Sequence, residues 1–127
     1  MFEAIASIVI NLSTQKLYAL NSNGTVVLVS PVSTGRSNSP TPTGQFTVGS
    51  KYTRTDLVGN DYRINLPNVQ CLRGSGLTPE MYCIHPTPEP GVPLGTPRSH
   101  GCVRVSESTA KWLFDRTVVG TPVTITY

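Results

Sequence analysis

Ser99-His100-Gly101-Cys102-Val103-Arg104 is the stretch from which the rest of the chain can be read. A cysteine thiolate is a strong nucleophile, but an ordinary thiol, with a pKa of about 8.5, is mostly protonated at neutral pH. An imidazole within reach can take that proton and later return one to a leaving amine. His85 stands seventeen residues ahead of Cys102, and the chain's two histidines both lie in this window. Glycine before the cysteine permits a tight turn and the close approach of a substrate carbonyl. The Gly101 and Cys102 N–H groups are then placed to face a developing oxyanion. Together these features point to acyl transfer through a thiol.

Further blocks lie outward from the hexapeptide, in a fixed order. Ile8-Val9-Ile10-Asn11-Leu12 is followed by Gln15-Lys16-Leu17-Tyr18, then by Val32-Ser33-Thr34-Gly35 and Pro40-Thr41-Pro42-Thr43-Gly44-Gln45-Phe46. Leu94-Gly95 leads into Ser99, and Gly120-Thr121-Pro122-Val123 comes near the end. This series resembles the L,D-transpeptidase catalytic domain, also called the YkuD domain. That family carries a histidine, a variable loop, then Ser/Thr-His-Gly-Cys, an aliphatic residue and Arg or Asn. The resemblance covers nearly all 127 residues, as one catalytic domain over 1–127.

The resemblance implies a mostly β protein, a YkuD-like β-sandwich with one short helix after the cysteine and the cysteine in a groove. It makes Cys102 the nucleophile that holds an acyl group as a thioester, and His85 the general base. Gly101 contributes its backbone N–H, while His100 and Ser99 orient the site. A backbone carbonyl orients the base, so no acidic third member is required; Glu89 and Asp115 are candidates only by type. No metal or cofactor is implied. The substrate class is the diaminopimelate-containing peptidoglycan stem peptide, with D-Ala released and a 3→3 crosslink formed or a protein attached. An L,D-carboxypeptidase would use the same residues with water as acceptor. Carbapenems are expected to acylate the same thiol. The sequence departs from the family pattern at Pro86, where a small residue is usual, and in a slightly short loop after it.

Residues 102–104, if extended, place Arg104 on the same side as Cys102, where its guanidinium suits a substrate carboxylate. Arg98 is a second, less specific candidate. The loop from Pro86 to Arg98 holds five prolines and two glycines, stiff enough to form one wall of a groove. A rival reading takes Cys83, His85, His100 and Cys102 as a Cys2His2 zinc module. Its one-residue spacings are tight for zinc, and it gives Ser99 and Arg104 no purpose.

Length and composition agree with a single domain large enough for its own hydrophobic core. Charged residues are 13% of the chain, and Gly and Pro supply 22 positions, favouring strands and turns over a bundle. The net charge of +3 is scattered, without the concentrated basic face of a nucleic-acid binder. The apolar run Ala4–Ile10 is too short to span a membrane. It has no basic segment before it, so no signal peptide is visible, although the implied reaction takes place outside the cytoplasm. With Cys102 free, Cys71 and Cys83 are either a disulfide pair or two buried thiols.

Alternation predicts strands at Ile8–Leu12, Lys16–Leu20 and Thr25–Val32, with an Asn-Gly turn at Asn23-Gly24. Further extended segments are expected at Gln45–Gly49, 61–66, 81–85 and Pro122–Tyr127. The one helix begins near Ser106, an N-cap followed by Glu107. It buries Ala110, Leu113 and Phe114 and is ended by Gly120.

Overall fold

In the computed structural model, which describes residues 4–58, 63–78, 80–89 and 91–127, apolar alternation becomes one large mixed sheet. Every second residue of β1 (Ser7–Asn11), β2 (Lys16–Leu20) and β8 (Pro122–Thr126) is buried, through Ile8 and Ile10, Leu17 and Ala19, and Val123 and Ile125. β3 (Val26–Pro31) pairs antiparallel with β2 after a turn in which the Asn21 side chain accepts from the Asn23 and Thr25 amides. The strand order is β3-β2-β1-β8-β4-β5-β6-β7.

The expected strand at Gln45–Gly49 is only the start of β4 (Gly44–Val58), which forms a long hairpin with β5 (Arg63–Arg73). Of the expected 61–66 strand, the first two positions lie outside the described residues. Beyond Ser50 polar side chains add to the backbone pairing of the hairpin: Arg54 donates to Asn65, and Asn65 to Asp56. The 81–85 segment narrows to β6 (Cys83–Pro86), which runs parallel to the short β7 (Val103–Val105).

The two faces of β5 and β6 serve different ends. Leu72 and Ile84 join the main core, while Val69, Cys71 and Cys83 face a second cluster that includes Tyr52, Leu57, Ile64 and Cys102. Helix α1 (Glu107–Arg116) lies against β5 and β6. Its N-cap is Ser106, whose hydroxyl accepts from the Thr109 amide at 3.1 Å. Ala110 and Leu113 are buried as expected; Phe114 is half-buried, with the Lys51 ammonium over its ring. Lys51 also donates to the Phe114 and Thr117 carbonyls at the helix end, where orphan acceptors favour a cation. The helix therefore stops at Arg116, ahead of Gly120, whose φ of 98° belongs to the turn into β8.

The chain leaving β3 then crosses to the far edge of the sheet. Ser33 bridges Arg104 and Gly35 bridges Ser99, with reciprocal Ser33–Arg104 backbone bonds of 3.0 and 2.8 Å. One edge of the sheet is thereby tied to the other, and the seam falls beside Cys102.

Candidate active site

Register alone brings the reactive side chains together. His85 on β6 is paired with Arg104 on β7, and period-two alternation puts Cys83 on the His85 side and Cys102 on the Arg104 side. His85, Cys102 and Arg104 line one groove of about 250 Å³, with Leu57, Ile64 and Pro88 as its apolar walls. His100, Ser99 and Arg63 complete the lining. Arg98 does not line it; it is exposed, and its amide donates to the Thr34 carbonyl.

His85 is 6% exposed. Its Nδ1 lies 2.7 Å from the Pro86 carbonyl, and since a carbonyl only accepts, Nδ1 carries the proton and Nε2 keeps its lone pair. Burial pushes its pKa down to about 4, against the Pro86 bond, which raises it, and with Arg104, which lowers it further. His85 is neutral at physiological pH. The orienting acceptor is the Pro86 backbone; Glu89 pairs with Arg104 and Asp115 with Lys111.

Cys102 is the free cysteine and is half-buried. Its sulfur accepts from the Cys83 amide at 3.3 Å and donates toward the Met81 carbonyl at 3.7 Å. Burial raises its pKa; the Cys83 amide and then Arg104 oppose that rise. At neutral pH the resting pair is thus a thiol and a neutral imidazole, not a preformed ion pair. Cys71 and Cys83 are joined by a disulfide between directly paired positions of β5 and β6. That bond resolves the open question about the two cysteines and removes Cys83 as a metal ligand, so the Cys2His2 zinc reading is withdrawn.

The turn carrying Cys102 is fixed from three sides. Ser99, 2% exposed, accepts from the Gly101 amide at 3.1 Å and donates to the Cys102 carbonyl. The Gly101 N–H is thereby occupied within the turn, so the expectation that it faces an oxyanion is not met in this conformation. Gly101 has φ of 127°, and a Cβ there would come within 2.9 Å of the Tyr82 ring; glycine is required on both counts. Thr41 donates to the Gly101 carbonyl at 2.6 Å and accepts from the Gly35 amide at 2.8 Å. On the third side, the Ser99 amide donates to the Thr34 carbonyl. Thr34 is itself held by the buried Gln15, whose side chain contacts the Thr34 amide and hydroxyl.

His100 is exposed, and Arg36 donates to its Nε2 at 2.5 Å. A guanidinium only donates, so His100 is the Nδ1–H tautomer here. Gln15, Gly35 and Thr41 all fall in sequence blocks singled out above, but those blocks do not disclose these partners. Arg36 carried no signal at all.

Comparisons with known proteins place the chain in a family. The family model of the L,D-transpeptidase catalytic domain, YkuD, matches residues 5–125. The L,D-transpeptidase 2 of Mycobacterium tuberculosis (strain CDC 1551 / Oshkosh) is 33% identical over 106 residues, covering 79% of this chain and 26% of that protein. An L,D-transpeptidase structure from Mycobacterium tuberculosis H37Rv is similar with a TM-score of 0.81 and 27% identity, over 95% of this chain and 57% of that one. Another, solved in complex with imipenem, has a TM-score of 0.80 and 25% identity, over 93% and 57%. The chain spans about a quarter of the curated relative and less than two thirds of each solved chain. Sequence blocks, sheet topology and the family match agree: this chain belongs to the L,D-transpeptidase catalytic domain (YkuD) family.

Proposed function

We propose that this chain is the catalytic domain of a cysteine L,D-transpeptidase acting on peptidoglycan stem peptides outside the cytoplasm. One observation carries the reading: a free thiol at Cys102 shares a groove with a buried histidine whose Nδ1 is tied to a carbonyl. That arrangement leaves Nε2 as a proton acceptor. With thiol and imidazole both neutral at rest, proton transfer accompanies attack rather than preceding it.

The Cys102 sulfur attacks the carbonyl at the L-centre of diaminopimelate, and its proton passes to His85 Nε2. The Cys102 N–H serves as the oxyanion donor, since the Gly101 N–H is engaged by Ser99. A second donor requires that bond to open. Collapse expels D-Ala, whose amine takes the proton from His85, and a thioester remains. An acceptor amine, deprotonated by the same histidine, then resolves it into a 3→3 crosslink or a protein attachment. Water as acceptor makes the enzyme an L,D-carboxypeptidase. The imipenem complex of a similar protein supports carbapenem acylation at Cys102.

Mass spectrometry of the protein with a stem tetrapeptide tests the reading. Released D-Ala, crosslinked dimer and an adduct on Cys102 are expected. D-Ala without dimer, even with an added amine acceptor, selects the carboxypeptidase. Neither D-Ala nor adduct refutes both.

A further inference from the structure

The proline-rich loop sets a carboxylate against an arginine of the groove wall. Arg104, with an 11% exposed side chain, is held at 2.7 Å by the carboxylate of Glu89, whose side chain is 45% exposed. Arg104 also stands beside His85 in the β6–β7 register and lines the groove with Cys102. A guanidinium in that position is a ready receptor for a substrate carboxylate. The two partners are unequal: Glu89 can turn out to water, whereas Arg104 is fixed in the wall. The backbone of Glu89 need not move, because its amide is tied to Thr87 and its carbonyl accepts from Val92. The groove's other arginine, Arg63, is 74% exposed and 3.5 Å from Asp56, a solvated pair of the kind that contributes little.

We infer that Glu89 occupies the place of a substrate carboxylate on Arg104, so that the groove selects acyl donors bearing a free carboxylate able to displace it. This rests on the reading of Cys102 as the nucleophile of the groove. The exchange replaces one carboxylate by another, so Arg104 is never left as an unpaired buried charge. A neutral ligand meets a closed ion pair and gains nothing from Arg104. Glu89 is then a specificity-determining residue, acting by competition rather than by contact with the reacting atoms.

Two alkylating reagents of nearly equal size, iodoacetate and iodoacetamide, test this on the intact, non-reduced protein, where Cys102 is the thiol available. In both, the sulfur displaces iodide and forms a thioether; only iodoacetate brings a carboxylate. Glu89→Gln is expected to raise the iodoacetate-to-iodoacetamide rate ratio about threefold or more, because a competing negative charge is removed from the Arg104 site. The iodoacetamide rate itself should change by less than about twofold. Arg104→Gln should drive the ratio below the wild-type value. An unchanged ratio in Glu89→Gln, or equal acceleration of both reagents, makes Glu89 an ordinary loop tether and overturns the inference. The reagents need only the Cys102 thiol, so a shifted ratio in a protein that fails to turn over stem peptides would sink the functional reading and leave only the competition of Glu89 with other carboxylates for Arg104.

Discussion

Acidification should weaken the fold through His85, and the size of the loss follows from its environment. The folded-state pKa is about 4, depressed mainly by burial, against about 6.5 for an unfolded histidine. Between those values the unfolded chain binds a proton that the folded chain refuses, so stability falls as pH falls. The loss begins below about pH 6.5, grows through the window between the two values, and levels off below the folded pKa at roughly 3 kcal/mol. At 6% exposure the ring has little solvent to soften this. Other acids also titrate in this range, so the measurement is a difference. Urea unfolding of wild type and His85→Asn, whose amide can still donate to the Pro86 carbonyl, is compared at each pH. The wild type should lose stability relative to the variant on acidification, by about the amount above. Parallel profiles, or a wild type that gains on the variant as pH falls, would refute the burial argument and the neutral-base assignment built on it.

Arg104 opposes the burial that raises the Cys102 pKa; Arg104→Gln should raise it further, shifting the pH midpoint of iodoacetamide labelling upward and slowing labelling at neutral pH. Thr41→Val leaves the Gly35 amide and Gly101 carbonyl without their shared hydroxyl, at a cost of about 1–3 kcal/mol. The melting temperature should fall, and acylation of Cys102 should slow even where the protein stays folded. The Cys71–Cys83 bridge closes a short loop, with a sequence separation of 12, worth about 3 kcal/mol on chain-entropy grounds. Non-reduced protein should titrate with one free thiol, and Cys71→Ala/Cys83→Ala should unfold at markedly lower denaturant; three free thiols would contradict the bridge.

The elements most legible in the sequence were those whose burial is one-sided. β1, β2 and β8 alternate cleanly, and Ser106 with Glu107 announces the helix. The outer half of the β4–β5 hairpin gives no such signal. Lys51–Val58 carries polar and charged residues on both faces, and Pro67 sits inside β5 opposite Arg54. Pairing with a partner strand, together with the second cluster that Tyr52 and Leu57 join, keeps that segment extended, and neither is visible in a single strand. The site divides in the same way. Cys102 and His85 stand out in the sequence as candidates because their chemistry is local to the residue type, and the structure sets both in one groove. The Ser99 clamp that takes up the Gly101 amide, the Thr41 hydroxyl between Gly35 and Gly101, and Arg36 on His100 are tertiary facts. Each joins segments that only the closed sheet brings together, except the Ser99 clamp, which depends on a rotamer.

The seam between Ser33–Gly35 and Ser99–Arg104 also bears on how the proposed active site comes into being. Its two halves lie in opposite thirds of the chain, and loop-closure entropy makes such distant pairings late and slow relative to hairpins such as β1–β2 and β4–β5. The turn that carries Cys102 is one side of that seam. A chain that has formed its hairpins but not closed its ring has a thiol and a histidine, yet no shaped turn to hold them. Acylation competence is thus a signal of completed folding, and a carbapenem-type label that reads Cys102 during refolding would time ring closure directly.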